Sequence, residues 1–213
     1  YAWGVGPGDT ATVIDLYNSS DINNQRDIFT IKYWSENDKI NAMMRAGSWY
    51  NASADITYNS DQWYHIIIVR NSTSLKIYIN GSETGSNESV SSSNFDNYDR
   101  IRIGSSAIGE NWDSLIDEVS IWNDALTASE ITALYNSGVP LAASSNSGDY
   151  ASSANLKGYW RFGENTGTTL YDLSGNGNHG TISGATYTGQ GANGVLPTIS
   201  SVSLASDNST IAV

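Results

Sequence analysis

The chain has 213 residues, which is long enough for one large all-β sandwich and does not require two domains. Its formal net charge of −12 argues against nucleic acid and anionic membrane surfaces as partners, because no basic stripe is present to neutralise phosphates. Cysteine is absent, which excludes disulfides, thiol catalysis and zinc–thiolate sites. Charged residues make up only 15% of the chain, so its polarity comes mainly from Asn, Ser, Thr and Gly, a composition common in extracellular β-proteins.

The first quarter of the chain predicts antiparallel strands. Residues 11–17, 27–34 and 40–45 are rich in apolar and β-branched residues, and the segment between the first two is rich in Asn and Asp, which suit turns. The pair Asp38-Lys39 is the expected tip of the hairpin between the last two strands. Residues 1–9 contain glycines and a proline and are expected to form an irregular entry.

Residues 61–138 carry the clearest periodicity in the chain. The apolar runs 64–70 and 75–80 are separated by turn-forming residues at 71–73, which predicts an antiparallel hairpin. Apolar and polar residues alternate in the second run, so that strand should bury one face. The pair Asn80-Gly81 then supplies the positive φ angles that a tight hairpin turn needs.

Two further segments of this region predict a loop and a strand. Residues 82–99 are rich in Ser and Asn and predict a long polar loop, of a length that is functional or mobile in most proteins. Residues 100–104 predict a strand.

One short helix is predicted after the last long strand. Apolar residues recur at helical spacing on one face of residues 127–135, Thr127 and Glu130 match a capping box, and Gly138 is the expected stop.

The order of these segments resembles the laminin-G-like modules of the concanavalin A-like lectin/glucanase superfamily. The matching segments are W-Y-H followed by an apolar strand, K-I-Y-I-N-G, R-I-G-S, L-I-D-E-V-S-I-W-N and A-L-T-A-S-E-I-T-A-L-Y. The resemblance covers most of residues 61–138. It implies an all-β fold, a two-sheet antiparallel jelly-roll sandwich with one short helix near residues 127–136, used for adhesion or glycan binding by secreted and cell-surface proteins.

A second ordered block follows the helix. Residues 141–154 are mostly Ala, Ser, Asn and Gly and are interpreted as a linker, and residues 155–187 then resemble the opening strand and loop of the same family. This block either closes the preceding sandwich, by supplying strands that the short N-terminus lacks, or opens a second module. The first alternative is favoured because an apolar strand such as 158–162 needs a partner against which to bury.

The domain assignment is therefore one sandwich over residues 1–190, followed by a linker and tail over 191–213. Residues 197–213 of this segment begin with a proline and carry alternating Val202 and Leu204, so they are a candidate first strand of an immunoglobulin-like domain.

The segment D-L-S-G-N-G-N is the sharpest candidate for chemistry. From Asp172 to Asn178, oxygen-bearing side chains recur at alternate positions, which suits a hard cation such as Ca²⁺. The hypothesis is a structural calcium held by Asp172, Asn176 and Asn178 with loop carbonyls, together with Asp117, which the family resemblance places near such an ion. The alternative is an Asx-rich turn that hydrogen-bonds to itself.

A hydrolase is not favoured by the acidic residues. Asp113, Asp117 and Glu118 do not give the alternating carboxylates of jelly-roll glycosidases, and adjacent residues on a strand point to opposite faces. The two histidines, His65 and His179, lie near no Ser or Cys motif that would indicate a catalytic triad.

Tryptophan and tyrosine outnumber phenylalanine, and both residue types serve in sandwich cores and as platforms for sugar rings. Three tryptophans in strand-like positions are assigned to the core: Trp63, Trp122 and Trp160. The candidates for ligand contact are Trp49, Tyr50 and Trp112, which lie in segments interpreted as loops. Packing of those loops over the sheet is an equally acceptable interpretation.

The predicted function is a non-catalytic carbohydrate-binding or adhesion module of a larger secreted or cell-surface protein, stabilised by calcium. The expected partner is a glycan or a cell-surface protein, or neighbouring copies and adjacent domains of the parent protein, with no membrane insertion. The alternatives are a self-assembling structural spacer of an adhesin or filament without a glycan ligand and, less favoured, a glycoside hydrolase of the same fold.

Overall fold

The computed structural model describes residues 10–20, 29–46, 48–57, 62–90, 98–106 and 109–187, together with the backbone of Ser209–Ala212. Within these residues the chain forms two antiparallel sheets, a small hairpin and one α-helix. The strands are β1 Thr10–Tyr17, β2 Phe29–Trp34, β3 Lys39–Ala46, β4 Ser48–Asp55, β5 Ile66–Arg70, β6 Ser74–Ile79, β7 Ser82–Ser89, β8 Arg100–Ile103, β9 Val119–Trp122, β10 Leu156–Trp160, β11 Thr169–Leu170, β12 Gly180–Thr181 and β13 Ser209–Ala212. The helix α1 spans Ala128–Tyr135. The predicted all-β sandwich with one short helix is confirmed.

The first sheet has five strands in the order β4-β3-β2-β1-β8. Its first four strands follow one another along the chain, and β8 returns to pair with the free edge of β1. The predicted strands near residues 11–17, 27–34 and 40–45 are confirmed as β1, β2 and β3. Asp38 has a φ of 50° in the turn before β3, as expected for a hairpin tip. The predicted entry at residues 1–9 lies outside the described residues.

The strand β4 corrects the interpretation of Trp49 and Tyr50 as loop residues. Residues Ser48–Asp55 pair with β3 along their whole length, from Lys39↔Asp55 to Ala46↔Ser48. Tyr50, Ala52 and Ala54 occupy alternate positions of β4 and face the core. The segment looked like a loop in the sequence because Ser, Asn and Asp are uncommon in strands.

The second sheet has six strands in the order β10-β9-β13-β5-β6-β7. The predicted hairpin is confirmed, because β5 and β6 pair from Ile66↔Ile79 to Arg70↔Leu75. Strand β10, from the block after the helix, pairs with β9 and so belongs to this sheet. Residues Ser209–Ala212, which the sequence analysis assigned to the tail, form β13 between β5 and β9.

The strand β7 corrects the prediction of a polar loop over residues 82–99. Asn80 and Gly81 adopt φ angles of 50° and 80°, as predicted, and lead from β6 directly into β7, Ser82–Ser89. The sequence pattern missed this strand because it lies at the edge of the sheet with most side chains exposed, so no apolar alternation is required of it. Residues 91–97 of the predicted loop lie outside the described residues.

The main hydrophobic core fills the space between the two sheets. The five-stranded sheet contributes side chains such as Ile14, Phe29 and Ile31, and the six-stranded sheet contributes Ile68 and Ile77, all with no exposed surface. At one side the sheets meet directly, since the Ser53 N–H on β4 donates to the Ser86 hydroxyl on β7 at 3.2 Å.

A second core lies on the other face of the six-stranded sheet, where α1 packs. Ile131 and Leu134 of α1 cover Ile67 and Val69 of β5. The predicted capping box is confirmed, with the Thr127 hydroxyl and the Glu130 carboxylate each accepting a backbone N–H of the other. The helix ends at Tyr135, and its cap is Asn136 instead of the predicted Gly138, because Asn136 adopts the left-handed conformation, which asparagine tolerates well.

The segment 141–154, interpreted as a linker, is part of this second core. Tyr150 is 1% exposed, accepts a hydrogen bond from Trp122 Nε1 at 2.8 Å and donates to the Ala143 carbonyl at 2.7 Å. The small residues on either side of Tyr150 led to the interpretation as a linker. One large buried side chain is nevertheless enough to anchor the segment.

Gly85 allows β7 to approach β4, and Gly85→Ala should lower the free energy of unfolding by about 3 kcal/mol. An added Cβ would lie 2.2 Å from the Ser53 carbonyl oxygen, and φ is +83°. Gly167 is a matched control, because its φ is +84° and no atom outside its chain neighbours lies within 4 Å of an added Cβ. Gly167→Ala should therefore lose only about 1 kcal/mol, the strain of the left-handed backbone. Denaturant unfolding measures both, and equal losses would contradict the close approach.

Candidate functional site

The outer face of the five-stranded sheet is polar, in contrast to the apolar face that it turns toward the core. Four outward-facing polar side chains are almost completely buried: Thr12, Asp15, Thr30 and Asn41. Glu110 reaches this face from outside the sheet, and its carboxylate accepts hydrogen bonds from Thr10 at 2.7 Å and Lys32 at 2.5 Å. Burial opposes ionisation of Glu110, but the bonds from Lys32 and the threonines outweigh it and lower the pKa of the carboxyl group. Hydrogen bonds from Thr10, Thr12 and Lys32 to this one carboxylate join β1 and β2 on the outer face.

The accessible part of this face lies on β3 and β4, around Trp49. The Trp49 side chain is 46% exposed, and the guanidinium carbon of Arg45 lies 5.5 Å from the centroid of its ring. Arg45 and Trp49 are direct cross-strand partners, and Met43 and Asn51 form the next outward pair. We refer to Met43, Arg45, Trp49 and Asn51 as the Trp49 patch. It combines an aromatic platform with a cation and an amide, which are the groups that orient a polar ligand against a ring.

The other two predicted ligand residues pack inward. Tyr50 follows Trp49 on the strand and therefore faces the opposite side, where it packs against the core between the sheets. Trp112 also packs against that core, with its ring 6.5 Å from Tyr33 in an edge-to-face arrangement, and its Nε1 donates to the Leu115 carbonyl at 3.4 Å. Of the three aromatic candidates, Trp49 is the one that the structure places at an accessible surface.

The Asp172 loop, residues 171–179, connects β11 to β12 and folds around the Asp172 carboxylate. Oδ1 accepts the backbone N–H groups of Tyr159 at 2.9 Å and Ser174 at 2.8 Å, and Oδ2 accepts the N–H of Asn178 at 2.8 Å. Burial raises the pKa of Asp172, but hydrogen bonds from Ser174, Asn178 and Tyr159 outweigh this and bring it below the ordinary value of 3.8. The carboxylate is thus kept ionised by N–H donors.

Two of the remaining predicted calcium ligands, Asn176 and Asn178, hold the same loop to β10. The side-chain amides of Asn176 and Asn178 donate to the carbonyls of Leu156 and Lys157 at 2.9 and 2.8 Å. Asp117 accepts the N–H of Glu118 at 2.8 Å. Within the described ranges, no three His, Cys, Asp or Glu side chains are grouped so as to hold a metal ion. N–H donors converge on the Asp172 carboxylate, and the two asparagine amides donate to backbone carbonyls, so the geometry favours the self-bonded turn over the calcium site, and a calcium titration decides between them.

Asp117 and Glu118 do not lie on a strand, contrary to the interpretation of the sequence. They precede β9 instead of lying on it, and Glu118 has a φ of 54°, so the argument from opposite faces of a strand was wrong for this pair. The Glu118 carboxylate is buried, accepts Arg161 Nε at 2.6 Å and accepts the hydroxyl of Tyr159. Burial and the charge of Glu118 raise the pKa of Tyr159, so the tyrosine remains a donor. Sequence reasoning missed this cluster because Tyr159 and Arg161 are about forty residues away.

His65 lines a cavity of about 260 Å³ beside α1. Its ring stacks on Tyr135 with centroids 5.7 Å apart, and burial lowers the pKa of His65 to about 4, so the imidazole is neutral at pH 7. Trp63, Gln62 and Asn80 also line the cavity. His65 thus packs beside the sheet, and none of the predicted ligand residues lines this cavity.

The comparisons with known proteins agree with this architecture. The family model of the concanavalin A-like lectin/glucanases superfamily, named for laminin G, matches residues 4–132, which is more than half of the chain. The chain belongs to this superfamily. No curated protein and no solved structure gives a significant match. The superfamily includes lectins and glucanases by its own description, so membership indicates a carbohydrate-binding or adhesion type of module without naming a ligand.

Asp172→Asn should lower the free energy of unfolding by about 2 kcal/mol at pH 7, because an amide replaces a carboxylate that accepts three backbone N–H groups. The pKa of Asp172 is lower in the folded protein than in the unfolded chain, so this stabilisation is present above pH 4 and disappears as the pH falls through the folded value. The difference between the wild type and the variant should therefore shrink below about pH 4 in denaturant unfolding series. Asp113→Asn, at an exposed aspartate, is the control for the change of charge. A difference that is constant from pH 7 to pH 2 would contradict the assignment.

The contacts of the Asp172 loop also predict the result of a calcium titration. Because N–H donors already surround the carboxylate, calcium added to chelator-treated protein should give neither binding heat nor a rise in melting temperature. Isothermal titration calorimetry and thermal unfolding measure these two quantities. Binding heat that Asp172→Asn abolishes would instead establish the calcium site.

Proposed function

We propose that this chain is a non-catalytic carbohydrate-binding module of a larger secreted or cell-surface protein, and that the Trp49 patch contacts the sugar. The observation that carries the proposal is the half-exposed Trp49 ring on the outer face of the five-stranded sheet, with Arg45 against it and Asn51 beside it. An exposed tryptophan on a rigid, hydrogen-bonded sheet costs little conformational entropy on binding.

The chemistry of the patch suits a neutral glycan. The C–H face of a pyranose ring can pack on the indole, while the Arg45 guanidinium and the Asn51 amide hydrogen-bond to hydroxyl groups. A chain with a net charge of −12 repels acidic glycans at long range, so uncharged hexose polymers are the favoured class.

The absence of catalysis is part of the proposal. Asp117 and Glu118 are 3% and 5% exposed, and both carboxylates accept hydrogen bonds from the protein itself. A general acid or a nucleophile must reach the glycosidic bond from an open cleft. These contacts support a structural role for both residues.

Secretion and attachment to a larger protein also belong to the proposal. They are supported by membership of a family whose modules are typically extracellular and by the cysteine-free, Asn- and Ser-rich composition. The helix α1 has eight residues, and no helix in the described part of the chain is long and apolar enough to cross a membrane.

Trp49→Ala should weaken binding to a neutral glycan at least about tenfold, because it removes the platform on which the sugar ring packs. An array of neutral and acidic glycans identifies the ligand, and calorimetry then compares the wild type with Trp49→Ala. Tyr171→Ala is the matched control, since Tyr171 is 51% exposed and lies in the Asp172 loop, away from β4.

Three results would contradict the proposal. Unchanged affinity in Trp49→Ala would exclude the patch as the binding surface, and the absence of any bound glycan would favour the structural spacer. Release of reducing ends from the bound glycan, abolished by Glu118→Gln, would show a hydrolase.

A further inference from the structure

Strands β5 and β9 of the six-stranded sheet are separated by the width of one strand. The two strands do not pair with each other, and β13 lies between them, antiparallel to both. Each is occupied on its other edge, β5 by β6 and β9 by β10. We refer to the space between Ile66–Arg70 and Val119–Trp122 as the acceptor slot.

The walls of the acceptor slot are buried. Every residue of β5 and of β9 is buried, because the core between the sheets lies on one side and α1 on the other. An empty slot would leave two rows of backbone N–H and C=O groups facing each other without partners in the interior. The sheet therefore requires an inserted strand at this position.

The strand that fills the slot is held through its backbone. Ser209 pairs with Arg70, Thr210 with Val69, Ile211 with Ile68 and Ala212 with Ile67, and Ile211 and Ala212 also pair with Ile121 and Ser120 of β9. Antiparallel backbone pairing of this kind is the means by which an open sheet recognises an extended segment, whether or not the segment belongs to the same molecule.

The length of chain before β13 allows exchange between molecules. The 21 residues between Tyr187 and Ser209 span at most about 70 Å when fully extended, whereas a domain of this size is roughly 40 Å across. A C-terminal segment can therefore reach the slot of a neighbouring molecule. Exchange of an identical element between copies creates no new contact and loses none, so it is a low-energy route to a dimer.

We propose that the acceptor slot is a strand-binding site, and that the C-terminal segment of a second copy of this chain occupies it with the same register as β13. The partner is thus another copy of this chain. The inference does not rest on glycan binding, because the slot and the Trp49 patch lie on different sheets.

The first experiment separates the slot from its strand. A chain that ends at residue 208 should melt about 10 °C or more below the intact chain, because it loses pairing on both edges of the slot. A synthetic peptide of residues 205–213 should restore the melting temperature and bind with one-to-one stoichiometry. The control peptide carries Ile211→Pro, which removes an N–H at the position that faces both Ile68 and Ile121, and it should restore nothing.

The second experiment uses the intact chain and decides the question even when the shortened chain does not fold. Protein refolded at high concentration should contain a dimer whose fraction rises with protein concentration, measured by light scattering after size exclusion. The full chain with Ile211→Pro should give no such dimer under the same conditions.

The proposal is overturned by any of three results. These are equal melting temperatures of the shortened and the intact chain, equal action of the two peptides, and an intact chain that remains monomeric after refolding at its highest soluble concentration. The last result would overturn the second copy as the occupant even when the peptide restores stability.

Discussion

Burial of β5 on both faces is the constraint on which the rest of the architecture depends. Ile66 and Ile68 point into the core between the sheets, whereas Ile67 and Val69 point to the opposite side. A strand without a polar face requires a covering layer on each side, and the five-stranded sheet supplies one of them. The helix α1 and the segment anchored by Tyr150 supply the other. The capping box and the Trp122–Tyr150 hydrogen bond stabilise a layer that the sheet itself requires.

Much of the fold could be predicted from the sequence because its central strands carry strong periodic signals. The run at 64–70 and the alternation at 75–80 are dictated by burial, and burial determines the side-chain pattern. The strands β4 and β7 lack such a signal for a physical reason. Both lie at sheet edges, where backbone pairing defines the strand and β7 approaches β4 closely at Gly85. Their outward side chains face solvent and can therefore be Ser, Asn or Asp. From amino-acid composition alone, such strands are predicted to be loops.

The candidate site was less predictable because it depends on register between strands. Trp49 could be singled out from the sequence, but Arg45 is its partner only because β3 and β4 pair in one particular register. The sequence likewise showed the oxygen-rich spacing from Asp172 to Asn178 without showing what faces it. The carbonyls of Leu156 and Lys157 on β10 decide that both asparagines act as donors. The sequence spacing alone could not show these contacts, because β10 is distant in sequence from the loop's place in the pattern.

The outer faces of the two sheets differ in how accessible they are to a ligand. The helix layer covers the outer face of the six-stranded sheet. A partner can therefore bind this sheet only along an edge or as a strand within it. The outer face of the five-stranded sheet carries Arg45, Trp49 and Asn51 at its accessible part, and the pairing of β3 with β4 fixes where these side chains lie. Rigid polar support beneath an exposed ring is what a recognition surface needs, because the ring then loses little freedom when a ligand binds. Near β9, the Glu118 carboxylate accepts hydrogen bonds from Tyr159 on β10 and from Arg161, which follows that strand.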